Sequence, residues 1–331
     1  MSANEHSTAT AASGSVGGME TVVVGARGSR LAQAMVQELI AHLGECPVVE
    51  FRARSVMTDG DRDRKSLVRD LGGDGAGGVF TTQLEEELLA GRVDIAVHSL
   101  KDLPTAPPAG LVIAVTPPRA DPLDALCGST LAGLRAGARV GTGSARRIAQ
   151  LKAVRPDVEV VPIRGNVPAR LARSKSGLDA VILAACGLRR LGLDDAITEL
   201  LDPAVFAPSP GQGALAVQVR AGDRELLEML NSFGDPDADA AVRAERALLA
   251  ELHGGCSVPV GALATRRDGV LSLYAQVTSL DGRSRVDGSG TGGDPEAVGA
   301  SLAAALRERG ADAILDQIRE PVTGARSLSG R

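Results

Sequence analysis

From residue 21 onward, apolar runs alternate with helix-like stretches, and this alternation predicts an α/β architecture. Thr21 to Val24 reads as a strand and Ser29 to Leu43 as the helix after it. Asp94 to Val97 is another short strand, bounded by Gly91 and Pro104. Ala138 to Val140 and Ala180 to Leu183 repeat the pattern, each leading into a glycine-marked turn. Further on, Val242, Leu249 and Leu252 fall within one apolar stripe of a helix running from about Ala238 to Leu252. Gly254 then supplies a left-handed stop. Cys256, in His253-Gly254-Gly255-Cys256-Ser257-Val258-Pro259, presents a thiol on the glycine-hinged turn just beyond that helix.

Two proline-rich breaks punctuate this pattern, Thr116-Pro117-Pro118 and Pro208-Ser209-Pro210-Gly211-Gln212-Gly213, and both read as hinges or crossovers. Between Pro122 and Pro208, twelve Lys and Arg oppose eight Asp and Glu, a local balance of +4 inside a chain whose net charge is -5. Beyond Asp235 a small α/β unit ends near Ile318.

At 331 residues the chain is long enough for two or three domains. Aromatics are only 2% of it, with no Trp and a single Tyr, Tyr274, so cores must be built from Ala, Val and Leu. The same scarcity argues against base-stacking platforms, and the acidic balance against a wholesale nucleic-acid or anionic-membrane footprint. No apolar run approaches a membrane span, and the first nineteen residues read as a disordered tail rather than an export signal. Cys46, Cys127, Cys186 and Cys256 are far apart and show no metal-ligand spacing, which suits a reduced, cytoplasmic protein without zinc.

Val24-Gly25-Ala26-Arg27-Gly28-Ser29 and Val140-Gly141-Thr142-Gly143-Ser144 echo each other. Each links a strand to a helix and offers helix N-terminal N–H groups to an anion, although neither completes a P-loop or a dinucleotide fingerprint. Together they suggest two similar domains facing one cleft. Lys101 and Asp102 sit where a buried strand ends, either a catalytic edge or a capped turn. Arg146 and Arg147 open one helix, and Arg164 with Arg170 opens another. Four guanidinium forks at two such turns favour a polyanionic ligand over a solvated basic face. Asp124 reads as an ordinary carboxylate outside the site.

Six stretches carry a resemblance: Arg27-Gly28-Ser29-Arg30-Leu31-Ala32, Ala96 to Pro104 (AVHSLKDLP), Gly141-Thr142-Gly143-Ser144-Ala145-Arg146-Arg147, Arg164-Gly165-Asn166-Val167, Pro210-Gly211-Gln212-Gly213-Ala214 and Gly254 to Pro259 (GGCSVP). On these the chain resembles the porphobilinogen deaminases, also called hydroxymethylbilane synthases. The resemblance implies an α/β protein of three domains. The first two, residues 20–117 with 214–233 and residues 122–208, would resemble type II periplasmic binding protein domains. The third, residues 236–320, would be a small α/β (α+β) domain carrying the cysteine, with loose tails at 1–19 and 321–331.

It further implies a transferase that joins four porphobilinogen molecules head to tail, with release of ammonia, into 1-hydroxymethylbilane for haem, sirohaem and cobalamin biosynthesis. A dipyrromethane cofactor, one per chain, would be held through a thioether at Cys256. Asp102 would be catalytic and would also touch the cofactor, together with Lys101, Thr142, Ser144, Arg146 and Arg147. Arg27, Ser29, Ser99, Arg164, Arg170 and Arg190 would bind substrate. The product would pass to uroporphyrinogen-III synthase, and the protein is expected to be a monomer without metal.

Two positions depart from the family pattern. Gly77 stands where many members have lysine, with Lys65 or Arg69 as compensating groups. Met35 replaces a glutamine, and Gln33 points elsewhere on the helix. The loop from Asp59 to Gly78 is expected to be a mobile lid. A solute-binding or effector-sensing module of the same two-domain build is the runner-up, and the Gly-Gly-Cys turn speaks against it.

Overall fold

The computed structural model describes residues 20–44, 49–57, 78–252 and 258–319. Cys46, most of the expected lid and the turn that holds Cys256 lie outside the described residues.

The chain opens with β1 (Glu20–Arg27) and α1 (Arg30–Leu43), a longer strand than the apolar run alone indicates. A five-stranded sheet forms in the order β2-β1-β3-β10-β4, from β2 (Val49–Val56), β3 (Ile95–Ser99), β4 (Leu111–Val115) and β10 (Leu215–Arg220). β1 runs parallel to β2 and β3, while β10 inserts antiparallel between β3 and β4. Val22, Val24, Val97 and Val217 of this sheet pack on Val36, Leu39 and Leu43 of α1. α2 (Gly78–Leu89) covers the sheet as well, through Leu84 and Leu88 beside Val93.

A second sheet has the order β7-β6-β8-β5-β9, from β5 (Asp124–Cys127), β6 (Arg139–Thr142), β7 (Glu159–Pro162), β8 (Ala180–Ala184) and β9 (Glu199–Leu200). Here too three strands are parallel and the fourth, β5, inserts antiparallel. α3 (Ala145–Val154), α4 (Val167–Ala172) and α5 (Ala185–Arg189) belong to this unit. The two glycine-marked turns that echo each other thus hold equivalent places, β1 to α1 and β6 to α3. Ser29 and Ser144 perform the same task in each, their hydroxyls accepting from the backbone N–H groups of Ala32 and Arg147. A serine at the N-cap satisfies a donor that the helix itself cannot.

After α6 (Arg224–Asn231), α7 (Pro236–Glu251) leads into a three-stranded meander of β11 (Val260–Arg267), β12 (Val270–Thr278) and β13 (Arg285–Gly292). α8 (Pro295–Glu308) and α9 (Ala311–Arg319) complete the layer. Its core is small-residue packing, with Ala244, Leu248, Ala262, Leu273, Ala275 and Leu302 all buried, as an aromatic-poor chain requires.

Glu245 of α7 joins the three units. Its carboxylate is fully buried and accepts from Arg119 Nη1 and Nη2 at 2.7 and 3.0 Å, from the Gly211 N–H at 2.7 Å and from the Ala264 N–H at 2.8 Å. Arg119 lies in one crossover between the sheets and Gly211 in the other. Four donors on one buried carboxylate satisfy its lone pairs, without which such a charge would be costly to bury.

Candidate active site

The carboxyl end of β3 defines the site. Ser99 ends the strand and Leu100–Asp102 form a tight 3-10 turn, with Leu100 buried beneath and Asp102 half-exposed above. The cleft that opens there has about 840 Å³ of space including its solvent-open side. Arg27, Ser29, Ser99, Lys101 and Asp102 line it from the first sheet, and Arg147, Arg170 and Arg190 from the second. The site is therefore strongly cationic around one carboxylate.

Asp102 makes no hydrogen bond among the described residues, and the nearby charges of Lys101 and Arg170 are its electrostatic neighbours. Its oxygens are left for a ligand. Burial pushes the Lys101 ammonium below its usual range; Arg147 adds to that, and Asp102 opposes it. Burial likewise lowers Arg170, with repulsion from Arg147 and Arg164 adding to it. Cations crowded at a half-buried wall repel one another, and an anionic ligand relieves that repulsion.

Beneath the cleft lies a buried polar layer. Asp124, fully buried on β5, accepts from Arg146 Nη1 and from Arg147 Nη2, each at 2.7 Å, and from Gln212 Nε2 at 2.8 Å. Burial alone would raise its pKa, but the two guanidinium charges hold it well below the usual carboxylate range. This corrects the reading of Asp124 as a carboxylate outside the site: it anchors Arg147, which lines the cleft. Gln212 Oε1 in turn accepts from Lys101 Nζ at 3.1 Å and Arg147 Nη2 at 3.4 Å, so one amide connects the two sheets' cations. Gly211 and Gly213, at φ of 74° and 92°, set that amide in place, and a Cβ on Gly213 would meet the Ala120 carbonyl at 2.2 Å.

The implied contact residues divide accordingly. Arg146 faces this buried layer, its Nη1 also donating to Gln150 Oε1 and the Ala207 carbonyl at 3.0 and 2.7 Å, and it does not line the cleft. Thr142 is buried and its hydroxyl accepts from the Ser144 N–H at 3.3 Å, so Thr142 and Ser144 shape the turn ahead of α3. Arg164 also lies outside the cleft lining, with a buried Nη1 that has no hydrogen-bond partner among the described residues. Met35 does line it, among the core side chains of α1, and Gln33 donates to the Arg27 carbonyl at 2.7 Å. Arg147, which lines the cleft, has a buried Nε without a hydrogen-bond partner among the described residues.

Three participants had little sequence signal. Gln212 stands in a motif that reads as a hinge, and Asp124 carries no local pattern at all. His98 lines the cleft from β3, and its Nε2 lies 3.1 Å from Gln218 Oε1. Burial lowers its pKa to about 4, against the opposing bond to Gln218, so the ring is neutral at pH 7.

Fold and cleft together define an α/β protein with a cationic cleft between two sheets. Residues 22–228 match the family model described as porphobilinogen deaminase, dipyromethane cofactor binding domain, and residues 240–308 match the porphobilinogen deaminase C-terminal domain. Porphobilinogen deaminase of Roseiflexus castenholzii is 47% identical over 89% of this chain and 98% of its own. That of Desulforudis audaxviator is 48% identical over 90% and 98%. The chain belongs to the porphobilinogen deaminase family. Among solved structures, the lipoprotein Tp32 of Treponema pallidum covers 64% of this chain and 88% of its own at a TM-score of 0.39 and 12% identity.

Proposed function

We propose that this cleft is the condensation site of a hydroxymethylbilane synthase, joining four porphobilinogen molecules with loss of ammonia into 1-hydroxymethylbilane for tetrapyrrole biosynthesis. The observation that carries the reading is the ring of cations around the Asp102 carboxylate, in which neither Asp102 nor the buried Arg147 Nε makes a hydrogen bond among the described residues. A dipyrromethane bears acetate and propionate groups, and such an orphaned donor fits a resident polycarboxylate. Arg147, Lys101 and Asp102 would hold it, tethered at Cys256. When bound, that group supplies the primer to which substrate is joined.

The chain's own residues do the rest. Each porphobilinogen brings two carboxylates, which Arg27, Arg170 and Arg190 neutralise as bidentate or single charge-assisted contacts. Ser29 and Ser99 add hydroxyl donors at the same wall. Loss of ammonia from the aminomethyl group spreads positive charge onto the substrate's pyrrole nitrogen, and a fixed carboxylate beside that nitrogen stabilises the charge as it develops. Asp102, whose oxygens accept no hydrogen bond among the described residues, takes this role; when the methylene carbon that lost ammonia bonds to the α-carbon of the neighbouring pyrrole, Asp102 receives the proton that this second ring gives up as its aromaticity returns. Arg146, Thr142 and Ser144 act from behind, by fixing Arg147 and the start of α3. Arg164 contributes charge from outside the immediate lining.

No helix among the described residues is long and apolar enough to cross a membrane. We take the protein to work as a cytoplasmic monomer whose product goes to uroporphyrinogen-III synthase. Intact mass tests the reading: the purified protein should exceed its sequence mass by two porphobilinogen units less two ammonia molecules. Cys256→Ala should lose that increment and all turnover, whereas Cys46→Ala, Cys127→Ala and Cys186→Ala should keep both. An unmodified wild-type protein that still consumes porphobilinogen would refute the assignment of the cysteine. A protein that binds porphobilinogen without consuming it would restore the solute-binding reading.

A further inference from the structure

Arg190 has its guanidinium fork filled from α1, a helix of the other unit. Its Nε donates to Glu38 Oε2 at 2.6 Å and its Nη2 to Glu38 Oε1 at 3.0 Å, a bidentate pair between residues 152 apart in sequence. Arg190 follows α5 in the second unit, whereas Glu38 stands on α1 of the first. Nη2 also donates to the Gly213 carbonyl at 3.0 Å. Only Nη1 makes no hydrogen bond among the described residues, and the side chain, 7% exposed, lines the cleft.

A carboxylate near a site for polyanions repels the ligand, so Glu38 is unfavourable there unless it acts through its partner. Arginine loses considerable rotamer freedom when it grips a ligand, and holding it beforehand removes that loss from the binding step. Three contacts on Nε and Nη2 leave the Arg190 guanidinium little freedom, with one donor nitrogen still unused. Glu38 itself is 39% exposed and outside the cleft lining, so it touches Arg190 rather than the ligand.

We propose that Glu38 is a positioning residue for carboxylate recognition, holding Arg190 from beside the cleft so that Nη1 meets a substrate carboxylate already oriented. The proposal rests on the reading of the cleft as a porphobilinogen site and adds to it a residue outside the motifs that carry the family resemblance. It also makes one ion pair link the two units beside the cleft.

The test is steady-state turnover of porphobilinogen by cofactor-loaded protein. Glu38→Ala should raise KM about 10-fold with little change in kcat, the size expected when a charge-assisted contact loses its support. Glu38→Asp, which keeps the charge on a shorter arm, should recover part of that rise. In an Arg190→Ala background, Glu38→Ala should add nothing further, because a residue that acts only through Arg190 has no effect once Arg190 is gone. An unchanged KM in Glu38→Ala overturns the proposal. A lowered KM overturns it too, since Glu38 would then be a competitor for Arg190. The same rise in the Arg190→Ala background would reduce Glu38 to a general structural role. If wild-type protein fails to consume porphobilinogen, it is the functional reading that falls, and these outcomes are read only after that control.

Discussion

Asp124→Asn gives the most direct test of the layer beneath the cleft. The carboxylate accepts two arginine donors at 2.7 Å and one amide donor at 2.8 Å, with no exposure to solvent. Oδ1 serves both Arg147 and Gln212, so an asparagine keeps its oxygen there and turns its NH2 toward Arg146 Nη1, donor against donor. Arg146 retains Gln150 and the Ala207 carbonyl but loses its counter-charge. Breaking one buried pair in this way typically costs about 3 to 5 kcal/mol. Domain stabilities are on the order of 5 to 15 kcal/mol, so the loss would be a large fraction of what holds the second sheet. The assay is urea denaturation of purified wild type and variant, followed by far-UV circular dichroism. Cofactor loading is scored by mass in parallel. Adding Arg146→Gln to Asp124→Asn removes one of the two stranded charges and should restore part of the stability. A single-variant loss under about 1 kcal/mol would refute the reasoning, because solvent would then have to reach a carboxylate that the structure seals off.

The other expectations concern chemistry and pH. Asp102→Asn should fold normally and lose on the order of 100- to 1,000-fold in turnover, with Asp102→Glu less impaired; Asp195→Asn, an exposed carboxylate outside the lining, is the control. Equal rates for Asp102→Asn and that control would return Asp102 to turn capping. His98 makes stability fall in mild acid. Its folded pKa is depressed from 6.5 to about 4, so between these values the unfolded chain takes up a proton that the folded protein refuses. Stability therefore declines as pH falls through that window and the effect levels off below it, for a total of about 3 kcal/mol. His98→Gln should flatten the slope, and an unchanged slope would contradict the assignment. Asp124 acts lower, since a depressed carboxylate stabilises above its unfolded pKa and loses that contribution only at stronger acidity.

What could be read from the sequence follows from the range of each interaction. Helix starts were legible because a cap and its recipient lie three residues apart, as Ser29 with Ala32 and Ser144 with Arg147 do. The cations of the cleft were legible as residue types at turns. Their commitments were not, since Arg146 and Arg147 look alike in the chain and differ only in what surrounds them. Asp124 reaches Gln212 across 88 residues, and no local pattern announces such a pair. Glu38 has no local signal beyond its place in the helix read from Ser29 to Leu43, because its partner lies 152 residues further on. Strand ends were underestimated for a related reason: β1 continues to Arg27 because β2 pairs with it throughout, which an apolar count cannot register.

The insertion of β10 between β3 and β4 bears on how the chain is made. Strands of the second sheet all fall between Asp124 and Leu200, so a ribosome delivers that sheet in one uninterrupted stretch. The first sheet begins more than a hundred residues earlier, yet its penultimate strand, Leu215–Arg220, emerges after the whole of the second. Until then β3 and β4 have no strand between them, and Val217 and Val219 are missing from the core beneath. Contacts that close so long a loop form late. The unit synthesised first is thus completed second, and its half-built edge is the surface a nascent chain must keep from aggregating in the interval.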